Sequence, residues 1–297
     1  MGGEKVEIRE TIPENRIYRR RYANMSHRNP QGREYVHGRS ARESERLGDQ
    51  ARTLEALLHE GTRYPPGCVV LEAACGVGAQ TVILAANNPE TAFVSIDISA
   101  SSLQQAKVRV KQEGCTNVRF ELADIYNLPF PGETFDHVFV CFLLEHLPDP
   151  VLALNLLKEV LKPGGSITVI EGDHGSAFFH PDSVAARLTI QTLIELQKEM
   201  KGNALIGRQL YPLLKDAGFY DIRVSPRTAY VDGRSTPEQR EGFKKTFIWM
   251  VEGVRDQALT AGLIDEITWE KGILDLYRTA GPGGTFCYTF FKGTAVK

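Results

Sequence analysis

Val69-Val70-Leu71-Glu72-Ala73-Ala74-Cys75-Gly76-Val77-Gly78-Ala79-Gln80-Thr81 decides the fold. Val69 to Leu71 is a short apolar run that fits a buried strand. Gly76-Val77-Gly78 is a turn, and a helix-forming run follows it to Ala86. Glycine permits positive φ and lets a ligand or another backbone approach closely. In an open α/β sheet this first turn lies at the carboxyl edge, where ligands bind. A glycine pair alone fits a structural turn as well as it fits a nucleotide site.

The same alternation continues downstream. Phe93 to Ile98 is a second strand, and Ser99 or Ser101 caps a helix that runs to Glu113. Val118-Arg119-Phe120 is a third strand and Phe135 to Phe142 a fourth. A helix follows Pro150 and stops at Lys162-Pro163-Gly164-Gly165, and Ile167 to Ile170 is a fifth strand. Strands alternating with helices at this pitch predict a parallel, doubly wound sheet. After Glu171 the rhythm changes. Residues 178–201 read as one long helix and 207–217 as another. Ile222-Arg223-Val224 is a sixth strand, 237–260 and 265–279 are helical, and Thr285 to Lys292 is the last strand. The expected fold is α/β, a doubly wound, seven-stranded, mostly parallel Rossmann-like sheet with an N-terminal arm and helical cap insertions.

Upstream, Leu47, Ala51, Leu54, Leu57 and Leu58 recur at helical spacing before Pro65-Pro66-Gly67. Residues 1–46 differ from the rest: nine arginines against three acids lie between Arg16 and Arg46, with Tyr18, Tyr22 and Tyr35 interleaved. This segment reads as an arm or lid over an anionic small molecule, or as a solvated segment folded onto the domain. The organisation predicted is an arm over 1–46, a core over 47–175, a helical cap over 176–206, and a completion of the sheet over 207–297. That last part carries a second helical insertion at about 237–279.

The 297 residues are 42% hydrophobic and 24% charged, with 35 Lys+Arg against 37 Asp+Glu. This is an ordinary globular composition with no bulk charge for a polyanion, so no nucleic-acid partner is expected. No apolar run reaches the ~18 residues that a membrane span needs, so no membrane association is expected. The polar stretch from Met1 to Arg21 suggests a cytoplasmic protein. The five cysteines form no Cys-x-x-Cys pair and read as reduced thiols.

Two acids sharpen the glycine turn. Asp97 ends the second strand 19 residues after Gly78, and a carboxylate there suits a ribose diol. Asp124, in Ala123-Asp124-Ile125 after the third strand, either accepts from an adenine amino group or makes a turn. A dinucleotide fingerprint wants a glycine or alanine where this chain has Thr81. Glu72 would repel a pyrophosphate and suits a cationic ligand, such as an α-amino group or a sulfonium.

Five motifs then stand in order: Glu72-Ala-Ala-Cys-Gly-Val-Gly; Asp97; Ala-Asp124-Ile-Tyr-Asn-Leu-Pro-Phe; Phe-Asp136-His-Val-Phe-Val-Cys-Phe-Leu-Leu-Glu-His146; and Leu-Lys-Pro-Gly-Gly165. Together they resemble a class I S-adenosylmethionine-dependent methyltransferase of the ubiquinone/menaquinone-type and small-molecule branch. The resemblance covers about residues 50–172, and Leu213 to Phe219 extends it. Ala74 departs from it, because the family usually has glycine there. The resemblance implies S-adenosylmethionine as cofactor and S-adenosylhomocysteine as product. It implies that Glu72, Gly76 and Gly78 surround the methionine part. Gln80 either reaches the cofactor's carboxylate or stays on its helix surface. Asp97 and Ile98 would hold ribose and adenine, Asp124 and Ile125 the adenine, and Cys141 and Phe142 the sulfonium side. His146 would touch the cofactor or cap a helix, and Tyr35 would fold over the cofactor mouth.

A base is needed only where the acceptor arrives protonated. His174, in Glu171-Gly-Asp173-His174-Gly, has the right ordinary pKa for that role. His174-x5-His180 matches no metal motif, so no metal is expected. Substrate contacts are expected from His37 and Arg39 in the arm, and from Phe178, Arg208, Trp249 and Arg278 in the later segments. They suggest an anionic or aromatic small molecule. The expected function is methyl transfer to a small-molecule oxygen, carboxylate or hydroxyl. The alternatives are a C- or N-methyltransferase and a non-catalytic S-adenosylmethionine-binding protein. The aromatic helices also suggest a homodimer.

Overall fold

The computed structural model describes residues 41–297, with the side chains of 41–44 and 245 outside the described set. The arm expected over 1–46 therefore lies almost wholly outside the described residues, and Tyr35, His37 and Arg39 lie there with it. Helix α1 (Ala41–His59) comes first. Strand β1 (Val69–Ala73), α2 (Ala79–Asn87), β2 (Ala92–Asp97), α3 (Ala100–Gln112) and β3 (Val118–Leu122) follow. Next are β4 (Phe135–Cys141), α4 (Pro150–Val160) and β5 (Leu161–Gly172). Of the two caps offered for α3 it is Ser99 whose Oγ accepts from the Ser102 N–H, and Asp149 caps α4 with Pro150 at its first turn.

Strands β1 to β5 pair in parallel, in the order β3-β2-β1-β4-β5. The chain winds outward from β1 to β3 and then returns to place β4 on the other side of β1. That reversal opens a crevice at the carboxyl ends of β1 and β4. Both sheet faces are covered, as a parallel sheet requires, and alternate side chains serve opposite faces. Val70, Phe139 and Ile170 enter one apolar cluster, while Leu71, Val138, Val140 and Val169 enter the other. Helix α4 supplies Leu154 and Leu157 to the second cluster, and Leu210 and Leu214 join them from a later helix.

Beyond β5 lie β6 (Phe178–His180), α5 (Val184–Glu199), α6 (Leu210–Asp216) and β7 (Tyr220–Val231). Then come α7 (Pro237–Phe243), a π-helical turn (Lys244–Ile248), α8 (Trp249–Glu252), α9 (Arg255–Thr260), α10 (Glu266–Thr279) and β8 (Thr285–Val296). Strand β8 runs antiparallel to β5, β6 and β7. Among the described residues eight strands thus stand where seven are expected. The extra one is β6, which the sequence reading merges into a helix over 178–201. Phe178 and Phe179 take strand geometry because they pair with Cys287 and Phe286, and Phe179 stacks on Phe286. The helix expected over 237–260 is interrupted by the π turn and again at Gly253. Helices α5 and α10 pack on the first face through Ile190, Leu193, Trp269 and Leu276. All five cysteines are free thiols. No helix of the described residues is long and apolar enough to cross a membrane.

Candidate active site

The glycine turn is built by backbone geometry. Ala74, Gly76 and Gly78 all take positive φ, at 58°, 55° and 77°. A Cβ at Gly78 would sit 2.9 Å from Ala106 in α3, so this glycine also permits close packing of the turn against that helix. The Gly76 N–H donates to Asp97 Oδ2 across 2.8 Å, and the Ser99 N–H donates to Oδ1 at the same distance. The ends of β1 and β2 are thereby locked together. Asp124 Oδ1 accepts from the Tyr126 N–H at 2.9 Å, and Ile125 is buried beside it. Ile98 follows β2 directly.

Glu72 is buried, and its Oε2 accepts from Ser95 Oγ at 2.6 Å and Thr81 Oγ1 at 2.8 Å. Burial pushes its pKa up to about 7 despite these two bonds, and the nearby Asp97 adds to the rise. Thr81, the residue that breaks the dinucleotide fingerprint, is therefore a partner of Glu72. Gln80 turns elsewhere: its Oε1 lies 2.6 Å from His59 Nε2. Acids thus stand at or just beyond the ends of three neighbouring strands, and the turn from Cys75 to Thr81 carries no cation. That donor set fits a phosphate-free cofactor with a ribose, an adenine and a positive charge.

Farther along the same carboxyl edge a cavity opens between β4, β5, β8, α1 and the π turn. Phe142, Phe247, Phe290, Met250 and Leu47 give it apolar walls. Glu145, His174, Tyr288, Arg46, Gln50 and Thr246 give it polar groups. Phe142 follows β4 with φ at 54°, a strained value for a bulky residue. Cys141 precedes it, and burial together with Glu171 and Glu72 pushes its thiol well up. Phe142 packs against Phe290 with ring centres 5.7 Å apart. The π turn brings Thr246 and Phe247 to the cavity, and the Thr246 carbonyl accepts from Arg46 at 3.3 Å. Such turns recur at functional sites because they shift side chains off the helical register.

His174 is buried, with Nδ1 2.6 Å from the Tyr288 hydroxyl and Nε2 3.6 Å from Glu145 Oε2. Burial holds its pKa below the ordinary histidine value, against the pull of Glu145. Burial works to raise Glu145, but His146, His174, the Gln197 amide and Arg46 outweigh it and keep this carboxylate ionised. Glu171 behaves oppositely. Burial and the neighbouring Glu145 push it well up, although the Leu143 and Leu144 N–H groups donate to its Oε1.

Of the substrate contacts expected from sequence, none within the described residues lines this cavity. Arg208 makes two bonds to Asp173, at 2.6 and 2.7 Å. Arg278 bonds Asp275 at 3.2 Å and lines a separate cleft beside Pro181 and Lys271. Phe178 is 64% exposed on β6. Trp249 is half-buried between Ile248 and Met250 on α8, and only Met250 of these three reaches the cavity. His146 stands 3.5 Å from Glu145 Oε1. The sequence reading missed Arg46, Gln50, Glu145, Thr246 and Tyr288. One signal was available for Tyr288: Phe286, Tyr288 and Phe290 alternate along β8 and so share a face.

A family model described as a methyltransferase domain matches residues 65–218, just over half of the chain. An uncharacterized 37.1 kDa protein in a transposon of Streptomyces fradiae is 29% identical over 236 residues, 79% of this chain and 64% of that protein. The demethylmenaquinone methyltransferase of Geobacillus stearothermophilus is 28% identical over 179 residues, 54% of this chain and 75% of that enzyme. Two further relatives, an uncharacterized methyltransferase of Schizosaccharomyces pombe and a demethylmenaquinone methyltransferase of a Geobacillus species, are matched over less than half of their own length, 46% and 45%. The fold is shared with a Haemonchus contortus phosphoethanolamine N-methyltransferase solved with S-adenosylhomocysteine. The TM-score is 0.52 at 19% identity, over 83% of this chain and 52% of that one.

Proposed function

The chain belongs to the methyltransferase domain family of class I S-adenosylmethionine-dependent enzymes, and on that premise we propose that it methylates an oxygen of a small, uncharged, aromatic hydroxyl compound. The observation that carries the reading is His174, buried with its pKa held below the ordinary histidine value, in a cavity whose apolar walls are Phe142, Phe247 and Phe290. The family's cofactor supplies an activated methyl group. Glu72, Gly76 and Gly78 would hold its methionine part, Asp97 its ribose, and Asp124 with Ile125 its adenine. Phe142 and the strand end before it would separate that site from the acceptor cavity.

The residues of the cavity do three things. Phe142, Phe247 and Phe290 hold a flat ring and exclude water, which keeps the acceptor oxygen aligned for an in-line displacement. His174 takes up the acceptor's proton, as an imidazole that is unprotonated near neutral pH can do. Glu145 stabilises the imidazolium that results. Recognition of an anion, the other expectation from sequence, is weakened because Arg208 and Arg278 each bond a carboxylate of the chain itself.

The test is methyl transfer from isotopically labelled S-adenosylmethionine to matched panels of phenols, benzoic acids and anilines, with products resolved by mass spectrometry. Methyl ethers from the phenols are expected. Transfer only to amines or ring carbon would overturn the oxygen assignment.

A further inference from the structure

We propose that Tyr288 is the residue that meets the acceptor's hydroxyl, and that Tyr288, His174 and Glu145 form one proton relay running inward from the cavity. This deepens the oxygen-acceptor reading and rests on it.

The three residues are distant in sequence and joined in space. Tyr288 Oη lies 2.6 Å from His174 Nδ1, and His174 Nε2 faces Glu145 Oε2 at 3.6 Å with no hydrogen-bond partner of its own. Glu145 is pinned from behind, since Gln197 Nε2 donates to its Oε2 and to its carbonyl, both at 3.1 Å. The His174 backbone N–H is tied to the Ala204 carbonyl at 2.9 Å. Gly172 makes room for the phenol: a Cβ there would stand 2.5 Å from Tyr288 Oη. All four residues of this arrangement, Gly172 included, line the cavity.

The direction of the relay follows from charge. An ionised Glu145 beside Nε2 favours the tautomer with its proton on Nε2. Nδ1 is then the acceptor, and the Tyr288 hydroxyl donates to it. The groups facing the imidazole are Glu145 and His146 from the turn after β4, Asp173 before it, Arg46 from α1 and Tyr288 from β8. Burial, with Glu145 and Asp173 near, keeps Tyr288 protonated at rest. When the acceptor reacts, its O–H bond breaks and its proton passes to Tyr288 Oη. The proton of Tyr288 moves to Nδ1. The acceptor oxygen's electron pair forms the new bond to carbon, and the carbon–sulfur pair leaves with the thioether product. The imidazolium, paired with Glu145, later returns its proton to water. His174 and Glu145 act through Tyr288, so they are positioning and proton-storing residues.

Two measurements test the relay. Nitrogen-15 spectra of the histidine-labelled protein report the tautomer of His174 without any turnover, and the Nε2–H form is expected. An Nδ1–H form would overturn the relay. Transfer to simple phenols is then compared among wild type, Tyr288→Phe, Glu145→Gln and Gly172→Ala. Tyr288→Phe keeps the ring packing, and a ~10²–10⁴-fold loss is expected on phenol. The loss should be much smaller on an acceptor already ionised at the assay pH, such as 4-nitrophenol, because no proton has to leave it. Glu145→Gln should move the acidic limb of the pH–rate profile to lower pH, because a carboxylate that raises the imidazole's pKa is gone. Gly172→Ala should reproduce the Tyr288→Phe defect. A Tyr288→Phe rate on phenol equal to wild type would overturn the relay alone. No transfer to any hydroxyl by the wild type, with the Nε2–H form present, would overturn the oxygen-acceptor reading on which it rests.

Discussion

The Gly76 N–H donates to Asp97 Oδ2 across 2.8 Å, so the turn after the first strand is fastened to the end of the second. A cofactor that spans both strands therefore meets a preorganised surface, which lowers the ordering cost of binding. Replacing Asp97 by Ala removes this bond, the bond from the Ser99 N–H, and the carboxylate proposed to accept from the ribose. S-adenosylmethionine affinity should fall by about 1–3 kcal/mol in calorimetric titration. Unchanged affinity would mean that the carboxylate does not touch the cofactor.

Ala74 sits at φ 58°, in the left-handed region that favours glycine. A Cβ in the left-handed region costs about 1–2 kcal/mol, part of which glycine returns through the entropy of the unfolded chain. Ala74→Gly should therefore raise stability by about 0.5–1 kcal/mol, visible as a higher Tm. A lower Tm would show that the Ala74 methyl is needed in the core beside β1.

Glu72 gives stability a pH dependence whose sign is fixed by its raised pKa, about 7 in the folded chain against an ordinary 4.5. Between these values the folded state binds more protons than the unfolded state. Its contribution is complete below pH 4.5 and declines as pH rises toward 7 and beyond, by up to about 3 kcal/mol. Glu72→Gln should abolish that decline in urea titrations run across this window. A variant with the same slope as wild type would move the buried proton to another group.

Lys292 is buried in β8, and its Nζ donates to the carbonyls of Leu58 and Glu60 and to Thr62 Oγ1, at 3.2, 2.7 and 2.5 Å. It thereby fastens the end of α1 to the sheet, and α1 carries Arg46, Leu47 and Gln50 to the cavity. Lys292→Met leaves those acceptors without their donor and should cost about 1–3 kcal/mol. Burial lowers this lysine's pKa to about 8, so in wild type the folded state binds fewer protons than the unfolded state from there to the ordinary 10.5. Its contribution to stability consequently rises with pH across that interval, and the methionine variant should lack the rise. Equal stability of the two proteins at neutral pH would show that water replaces the ammonium.

Much of this molecule is legible in its sequence because the information is local. Strands β1 to β5 announce themselves by short apolar runs, and the glycine turn and the Ser99 cap act within a few residues of themselves. What escapes is set by distant pairing. Phe178 and Phe179 form a strand only because β8 lies beside them, and as a sequence they continue the helix that follows. The break at Lys244–Ile248 leaves no composition signal. Gln80, read as reaching the cofactor's carboxylate or staying on its helix surface, has its Oε1 beside His59, and Arg208, read as a substrate contact, bonds Asp173. His174 is noticed for its pKa, while the two groups that give it a direction, Glu145 and Tyr288, lie 29 and 114 residues away.

The central claim is that the turn at Gly76 and Gly78, with Glu72, Asp97 and Asp124, holds a phosphate-free adenosyl cofactor. Calorimetric titration of the protein with S-adenosylmethionine, S-adenosylhomocysteine and NAD in turn tests it most directly. Micromolar binding of both sulfur compounds and no heat from NAD is the result predicted. Binding of NAD alone would contradict the account.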